Sequence, residues 1–144
     1  MKRTWTIIAL LAAALAAGCA HKKGFEKPGF AYGCPIGDAK ISSMEDLVKA
    51  KVVTEGKRTT IQATEMRCTM TGDLLKIDIN LNNDSSHVKR INYKFRWIDR
   101  EGMRAWEEEV WKPLLMNENT NIVVTGIAPT SKAVDYRLIL QSQE

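Results

Sequence analysis

Three groups of side chains in this chain have the types and spacing to do chemistry. Glu107, Glu108 and Glu109 are consecutive carboxylates. Paired carboxylates across a scissile bond are the apparatus of glycoside hydrolysis, and on a strand Glu107 and Glu109 would share a face. A charge run of this kind is ordinarily a solvated face, and it is read as one. Met66, Cys68 and Met70 alternate within Met66-Arg67-Cys68-Thr69-Met70, so a strand would line three sulfurs along one face at intervals of about 7 Å. Thiolate and thioether ligands select Cu(I). Methionine and cysteine are equally common core residues, and packing alone explains their phase, so no metal site is assigned. Trp106 and Trp111, five positions apart, would fall on opposite faces of a regular strand. At least one would then be free to stack on a sugar or to anchor a protein interface. These two are the candidate interaction residues.

Catalytic partners for these groups are scarce. The chain has two histidines: His21 near the amino end, and His87 after Ser85-Ser86 in a segment with the composition of a turn. A nucleophilic triad needs a base held by a third group, and no nucleophile-elbow sequence surrounds His87. Zinc would find one His, two cysteines and scattered acids. No Gly-rich turn leads from a strand into a helix to cradle phosphate. No cofactor, no catalytic residue and no enzymatic activity are expected.

Length and charge narrow the field further. At 144 residues, with 44% hydrophobic and 26% charged side chains, the chain fits one globular domain rather than a disordered or fibrous polymer. The formal charge is +4, but Lys2 and Arg3 belong to a segment expected to be removed. The 19 remaining basic residues face 17 acidic ones, leaving +2. The basic residues are dispersed, with no run in the folded region longer than a pair such as Lys89-Arg90, which argues against nucleic acid.

Residues 1–18 read as a cleaved signal peptide. Lys2 and Arg3 form a positive start, and the apolar run from Ile7 to Ala17 is far shorter than the roughly 20 residues a membrane-spanning helix needs. It closes on Leu15-Ala16-Ala17-Gly18-Cys19, which resembles the lipobox of bacterial lipoproteins. That resemblance implies a lipid on Cys19, and Ala20 after it implies the outer membrane, with the protein facing the periplasm. Several acyl chains on one residue make a stable anchor. Residues 19–39 read as the lipidated cysteine and a tether punctuated by Gly24, Pro28, Gly29, Gly33, Pro35 and Gly37. The stretch from Ala20 to Gly33 reaches roughly 45–50 Å when extended. In an oxidising compartment Cys34 and Cys68 are expected to form a disulfide. Closing a loop of about 35 residues, it contributes roughly 3–4 kcal/mol in the chain-entropy model.

The folded domain, residues 40–144, carries mostly two-fold alternation. Leu75, Ile77, Ile79 and Leu81 alternate with Lys76, Asp78 and Asn80; Ile91, Tyr93, Phe95 and Trp97 alternate with Asn92, Lys94 and Arg96. Asn82-Asn83-Asp84-Ser85-Ser86 is a turn by composition, and Asp99-Arg100-Glu101-Gly102 closes the second strand with a glycine suited to positive φ. Further strands are predicted within Thr59–Thr71 and over Met103–Trp111, Thr120–Ile127 and Val134–Leu140. Residues 42–54 are read as a first edge strand preceded by a turn, although Ser42 with Glu45 also fits a capping box opening a short helix through Lys51. Short strands at intervals of about ten residues predict an all-β, immunoglobulin-like sandwich of about seven strands, with Trp97 filling the space between sheets.

The stretch Tyr93-Lys94-Phe95-Arg96-Trp97-Ile98-Asp99-Arg100-Glu101-Gly102-Met103 resembles the hallmark of the YcfL-like family of bacterial periplasmic and outer-membrane lipoproteins, an aromatic strand running into a Trp-x-Asp-x-x-Gly turn. Thr125-Gly126-Ile127-Ala128-Pro129 and Tyr136-Arg137-Leu138-Ile139-Leu140 are similar as well, so the likeness covers roughly residues 45–141 plus the lipobox. It implies an immunoglobulin-like sandwich with no established activity. A role near cell-wall assembly is also implied, because such genes in some bacteria neighbour a lipoprotein activator of a peptidoglycan synthase. The Cys34/Cys68 pair and the Glu107–Glu109 run depart from the family pattern. The reading is a non-enzymatic interaction module, anchored to the membrane through Cys19 and meeting an envelope protein. The alternative is a small-ligand module, taking glycan at Trp106 or Trp111, or copper at Met66, Cys68 and Met70.

Overall fold

A computed structural model of the chain describes residues 43–143. The signal peptide, Cys19, the tether and Cys34 lie outside the described residues. The domain is an all-β sandwich of seven strands in two sheets, with one short helix. Helix α1 spans Met44–Lys51, and the strands are β1 Val52–Glu55, β2 Gln62–Thr71, β3 Leu74–Asn83, β4 Lys89–Ile98, β5 Lys112–Met116, β6 Thr120–Ile127 and β7 Asp135–Ser142. One sheet runs β1-β7-β4-β5 and the other β2-β3-β6.

The alternation in the sequence places the core. On β3, Leu75, Ile77, Ile79 and Leu81 are wholly buried, and on β4 the inward side chains Ile91, Phe95 and Trp97 meet them. The rings of Phe95 and Trp97 stack at 5.5 Å, and Tyr136 of β7 leans on Phe95 at 6.3 Å. Phe95 lies against the backbone of β6 at Gly126, where a Cβ would come within 2.7 Å of its ring. Glycine is required there for close approach between the sheets.

Counting from β2, the second strand pairs with the fifth (β3 with β6) and the third with the sixth (β4 with β7). These are the cross-hairpin pairings of an immunoglobulin Greek key. The edge beyond β7 departs from that plan. A following antiparallel strand would normally fill it, but here β1 does so from the amino-terminal side, parallel to β7 over Val52–Glu55.

Two expected elements are corrected. Residues 42–54 are not one edge strand, since Met44–Lys51 is helical and only Val52–Glu55 pairs. Ser43, rather than Ser42, is the N-cap. Its Oγ accepts the Asp46 amide at 3.1 Å, acids occupy the first turn and lysines the last, as the helix dipole favours. Leu47 enters the core, and Lys51 is buried against Asp135 at 2.5 Å. Val52 and Val53, poorer helix formers, take the chain into the sheet. The second correction concerns Met103–Trp111, which is not a strand. Its one ladder contact is an isolated bridge between Ile98 and Arg104, and β5 begins only at Lys112. The segment lacks period-two apolar alternation, and Glu108 and Glu109 are engaged by side chains of β4. Among the described residues no helix is long and apolar enough to cross a membrane.

Candidate functional site

The connection from Asp99 to Trp111 is the least regular part of the domain, and its anchoring starts at its first residue. The Asp99 carboxylate accepts the amides of Glu101 at 3.1 Å and Met103 at 2.7 Å. Gly102, at φ +79°, turns the chain back, and Ala105 donates its amide to the Trp97 carbonyl at 2.9 Å. The end of the connection is fixed as firmly. β5 pairs with β4 only as far as Tyr93, which leaves the outer edge of β4 without a strand from Lys94 onward. Glu109 takes that place. Its carboxylate accepts the Trp97 indole N–H at 2.7 Å and the Phe95 amide at 3.5 Å, and Lys112 Nζ lies at 3.2 Å.

Glu108 turns to the outer face of the same sheet. There Lys94, only 5% exposed, bonds Glu108 and sits 4.1 Å above the centre of the Trp111 ring. An ammonium over an indole face is a favourable cation–π contact. Arg96 Nη2 lies 3.9 Å from Glu108 and 3.7 Å from Glu55. The Lys94 hydrogen bond first, and its charge second, hold the Glu108 carboxyl below the usual carboxylate range.

The glutamate run is therefore not one solvated face. Glu107 is exposed, whereas Glu108 and Glu109 fasten the connection to β4. A carboxyl held below its ordinary pKa and already bonded to lysine is a poor general acid near neutrality. The two tryptophans also part company. They do not flank a regular strand: Trp111 faces Lys94 and is half-buried, and Trp106 is 49% exposed between Met103 at 66% and Val110 at 78%. One pinned connection thus presents an indole and two aliphatic side chains to solvent. Its chemistry is that of an interface anchor or a stacking surface.

The remaining sequence candidates lie apart from this site. Met66 is buried, with the Tyr136 hydroxyl 3.7 Å from its sulfur; Cys68 is buried and disulfide-bonded; Met70 is half-exposed at the end of β2. A sulfur in a disulfide is no thiolate ligand. Cys34, the expected partner, lies outside the described residues, as does the lipidation residue Cys19. His87 is exposed, with Ser86 Oγ 3.3 Å from its Nδ1. No group of three or more His, Cys, Asp or Glu side chains suited to a metal occurs among the described residues.

Besides Lys51, two buried polar residues, Asn83 and Lys94, escaped the sequence reading. The Asn83 side-chain amide donates to the carbonyls of His87, Met116 and Asn117, tying the β3–β4 turn to the β5–β6 turn. Its place in an Asn-Asn-Asp turn was the available signal. Lys94 alternates as an ordinary outward residue, and only the fold of the following connection buries it.

Comparison with known proteins gives a family and a fold. The family model described as "Protein of unknown function (DUF1425)" matches residues 45–142. No curated protein matches. The chain is similar to the crystal structure of Campylobacter jejuni cj0090, with 19% identity and a TM-score of 0.55 over 65% of this chain and 98% of that one. It is also similar to the crystal structure of a DUF1425 family member from Shewanella sp. pv-4, with 24% identity and a TM-score of 0.54 over 58% of this chain and 79% of that one. At these identities the likeness establishes the shared fold.

Proposed function

The chain belongs to the DUF1425 family, and on that premise we propose that it is a lipid-anchored envelope protein working as a non-enzymatic interaction module. Within the family we place it with the YcfL-like lipoproteins, on the lipobox ending at Cys19 and the Tyr93–Met103 motif. Its location is then the periplasmic face of the outer membrane, near cell-wall assembly. The observation that carries the reading is Trp106, half-exposed on the same connection as the exposed Met103 and Val110, which is held at both ends by Asp99 and Glu109. Exposed large apolar side chains on a rigid frame lose little entropy on binding, which is what a hot spot needs.

The test is covalent crosslinking in living cells, comparing the wild type with Trp106→Ala. A recurrent envelope protein captured by the wild type and lost in the variant, at an unchanged unfolding temperature, supports the module. An adduct indifferent to Trp106 contradicts this choice of surface. The ligand reading keeps only its glycan form, because Trp106 is half-exposed while Cys68 is committed to a disulfide. Retained glycan fragments in place of a protein adduct would favour it.

A further inference from the structure

The sandwich has four strand edges, and three of them carry features that discourage pairing. β1 is four residues long. β5 is five, carries Pro113, and is continued along β4 by the Glu109 connection. β2 has a bulge between Ala63 and Glu65 and presents the ion-paired Glu65 and Arg67 on its outer face. Short strands, proline, bulges and charge are the ordinary means of blunting an edge. β6 has none of them. It runs eight residues, Thr120-Asn121-Ile122-Val123-Val124-Thr125-Gly126-Ile127, with no charge, no proline and an unbroken register to β3.

Its hydrogen-bonding phase follows from one contact. Ala128 donates to the Leu75 carbonyl at 2.8 Å, so by antiparallel alternation the even-numbered residues of β6 bond β3. The backbone groups of Asn121, Val123, Thr125 and Ile127 then point away from the sheet. Those four residues are exposed, with Val123 at 59% and Ile127 at 51%, and their outward backbone groups have no backbone partner among the described residues.

From this we infer that β6 is the dimer edge of the protein and that its occupant is β6 of a second copy, paired antiparallel. The strand suits itself. With the two-fold axis at Thr125, Val123 faces Ile127 of the second copy twice, Thr125 faces its own counterpart, and no charge stands opposite another. Cross-strand β-branched pairs and a Thr–Thr pair are among the favourable ones. The two three-stranded sheets become one of six strands, and an isologous contact of this kind closes after two copies. The inference does not rest on the reading of the Asp99–Trp111 connection.

The test uses the full chain in detergent, its mass measured with the detergent contribution subtracted. The wild type is expected at twice the single-chain mass. The double variant V123K/I127K places lysine opposite lysine and is expected at the single-chain mass while still unfolding cooperatively, its unfolding temperature lowered only by the lost association. V123E/I127E behaves alike, and mixing the two variants restores the two-chain mass. Thr125→Cys is expected to crosslink to itself on oxidation, its Cα atoms being about 5.5 Å apart in such a pair, whereas Thr71→Cys on β2 is not. A wild type of single-chain mass, a V123K/I127K variant that stays paired, or a wild type carrying a foreign chain on β6 in place of its own copy overturns the inference.

Discussion

The outer edge of β4 and the outer edge of β6 pose the same physical problem and meet it differently. On β4 the ladder ends with Tyr93, yet the next amide is not abandoned, because the Glu109 carboxylate takes the Phe95 N–H and the Trp97 indole together. On β6 the outward amides of Val123, Thr125 and Ile127 meet no such group among the described residues. A closed edge needs an acceptor brought from elsewhere in the chain, and the thirteen residues from Asp99 to Trp111 bring it. In doing so they also lift Trp106 into solvent. Edge protection and display are two consequences of one anchored connection.

The largest effect is expected at Gly126, where the two regions touch through Phe95. Gly126→Ala drives a Cβ to 2.7 Å from the ring and should cost about 2–3 kcal/mol, as overpacking of a filled core does. A double-mutant cycle with Phe95→Leu should recover part of that loss in denaturant unfolding. If Gly126→Ala is neutral, the sheets are not held at that contact.

Glu109→Ala should cost about 1–3 kcal/mol, because it strands a buried indole N–H and a strand amide. It should also speed hydrogen exchange at Phe95 while leaving Val123 as it was. Equal acceleration at both amides would erase the distinction between the edges.

Acid titration gives a smaller effect. Glu108 has its pKa lowered in the folded state by Lys94, so its contribution to stability is present above the unfolded carboxylate pKa and is lost as pH falls through the lower folded value. Glu108→Gln should remove that part of the acid dependence and leave the neutral-pH fold intact. An unaltered acid profile would show the pair to be unimportant. The smallest stability effect belongs to Trp106→Ala, within about 0.5 kcal/mol as for an exposed site, with loss of partner capture as its readout. A large fall in unfolding temperature would mark Trp106 as structural.

Legibility in the sequence followed the range of the interactions. β3, β4, β6 and β7 could be read because their alternation is local and one face of each is buried. The β4 turn could be read because Asp99 and Gly102 act on their own neighbours. The helix was half visible. Ser43 and Ser42 compete for one capping role, and the following valines suit a strand. β1 parallel to β7 had no local sign, since its partners, Leu138 to Gln141 and, through Lys51, Asp135, lie more than 80 positions later in the chain. Of the two tryptophans read as candidate interaction residues, Trp106 is exposed and Trp111 half-buried. The anchoring of Trp111, Glu108 and Glu109 has no local sign, because their partners, Lys94 and Trp97, lie 12 to 17 positions earlier in the chain on a strand that itself reads as ordinary.

What Trp106 meets in the cell decides whether the Asp99–Trp111 connection is an interface. A photo-crosslinking residue placed at position 106 of the full chain, and in parallel at exposed Lys57, should give one recurrent protein adduct at 106 and none in common at 57. The same residue at position 123 should give a second copy of this chain. A position 106 that captures nothing, or only what position 57 captures, would contradict the claim that the Asp99–Trp111 connection is the surface through which this protein works.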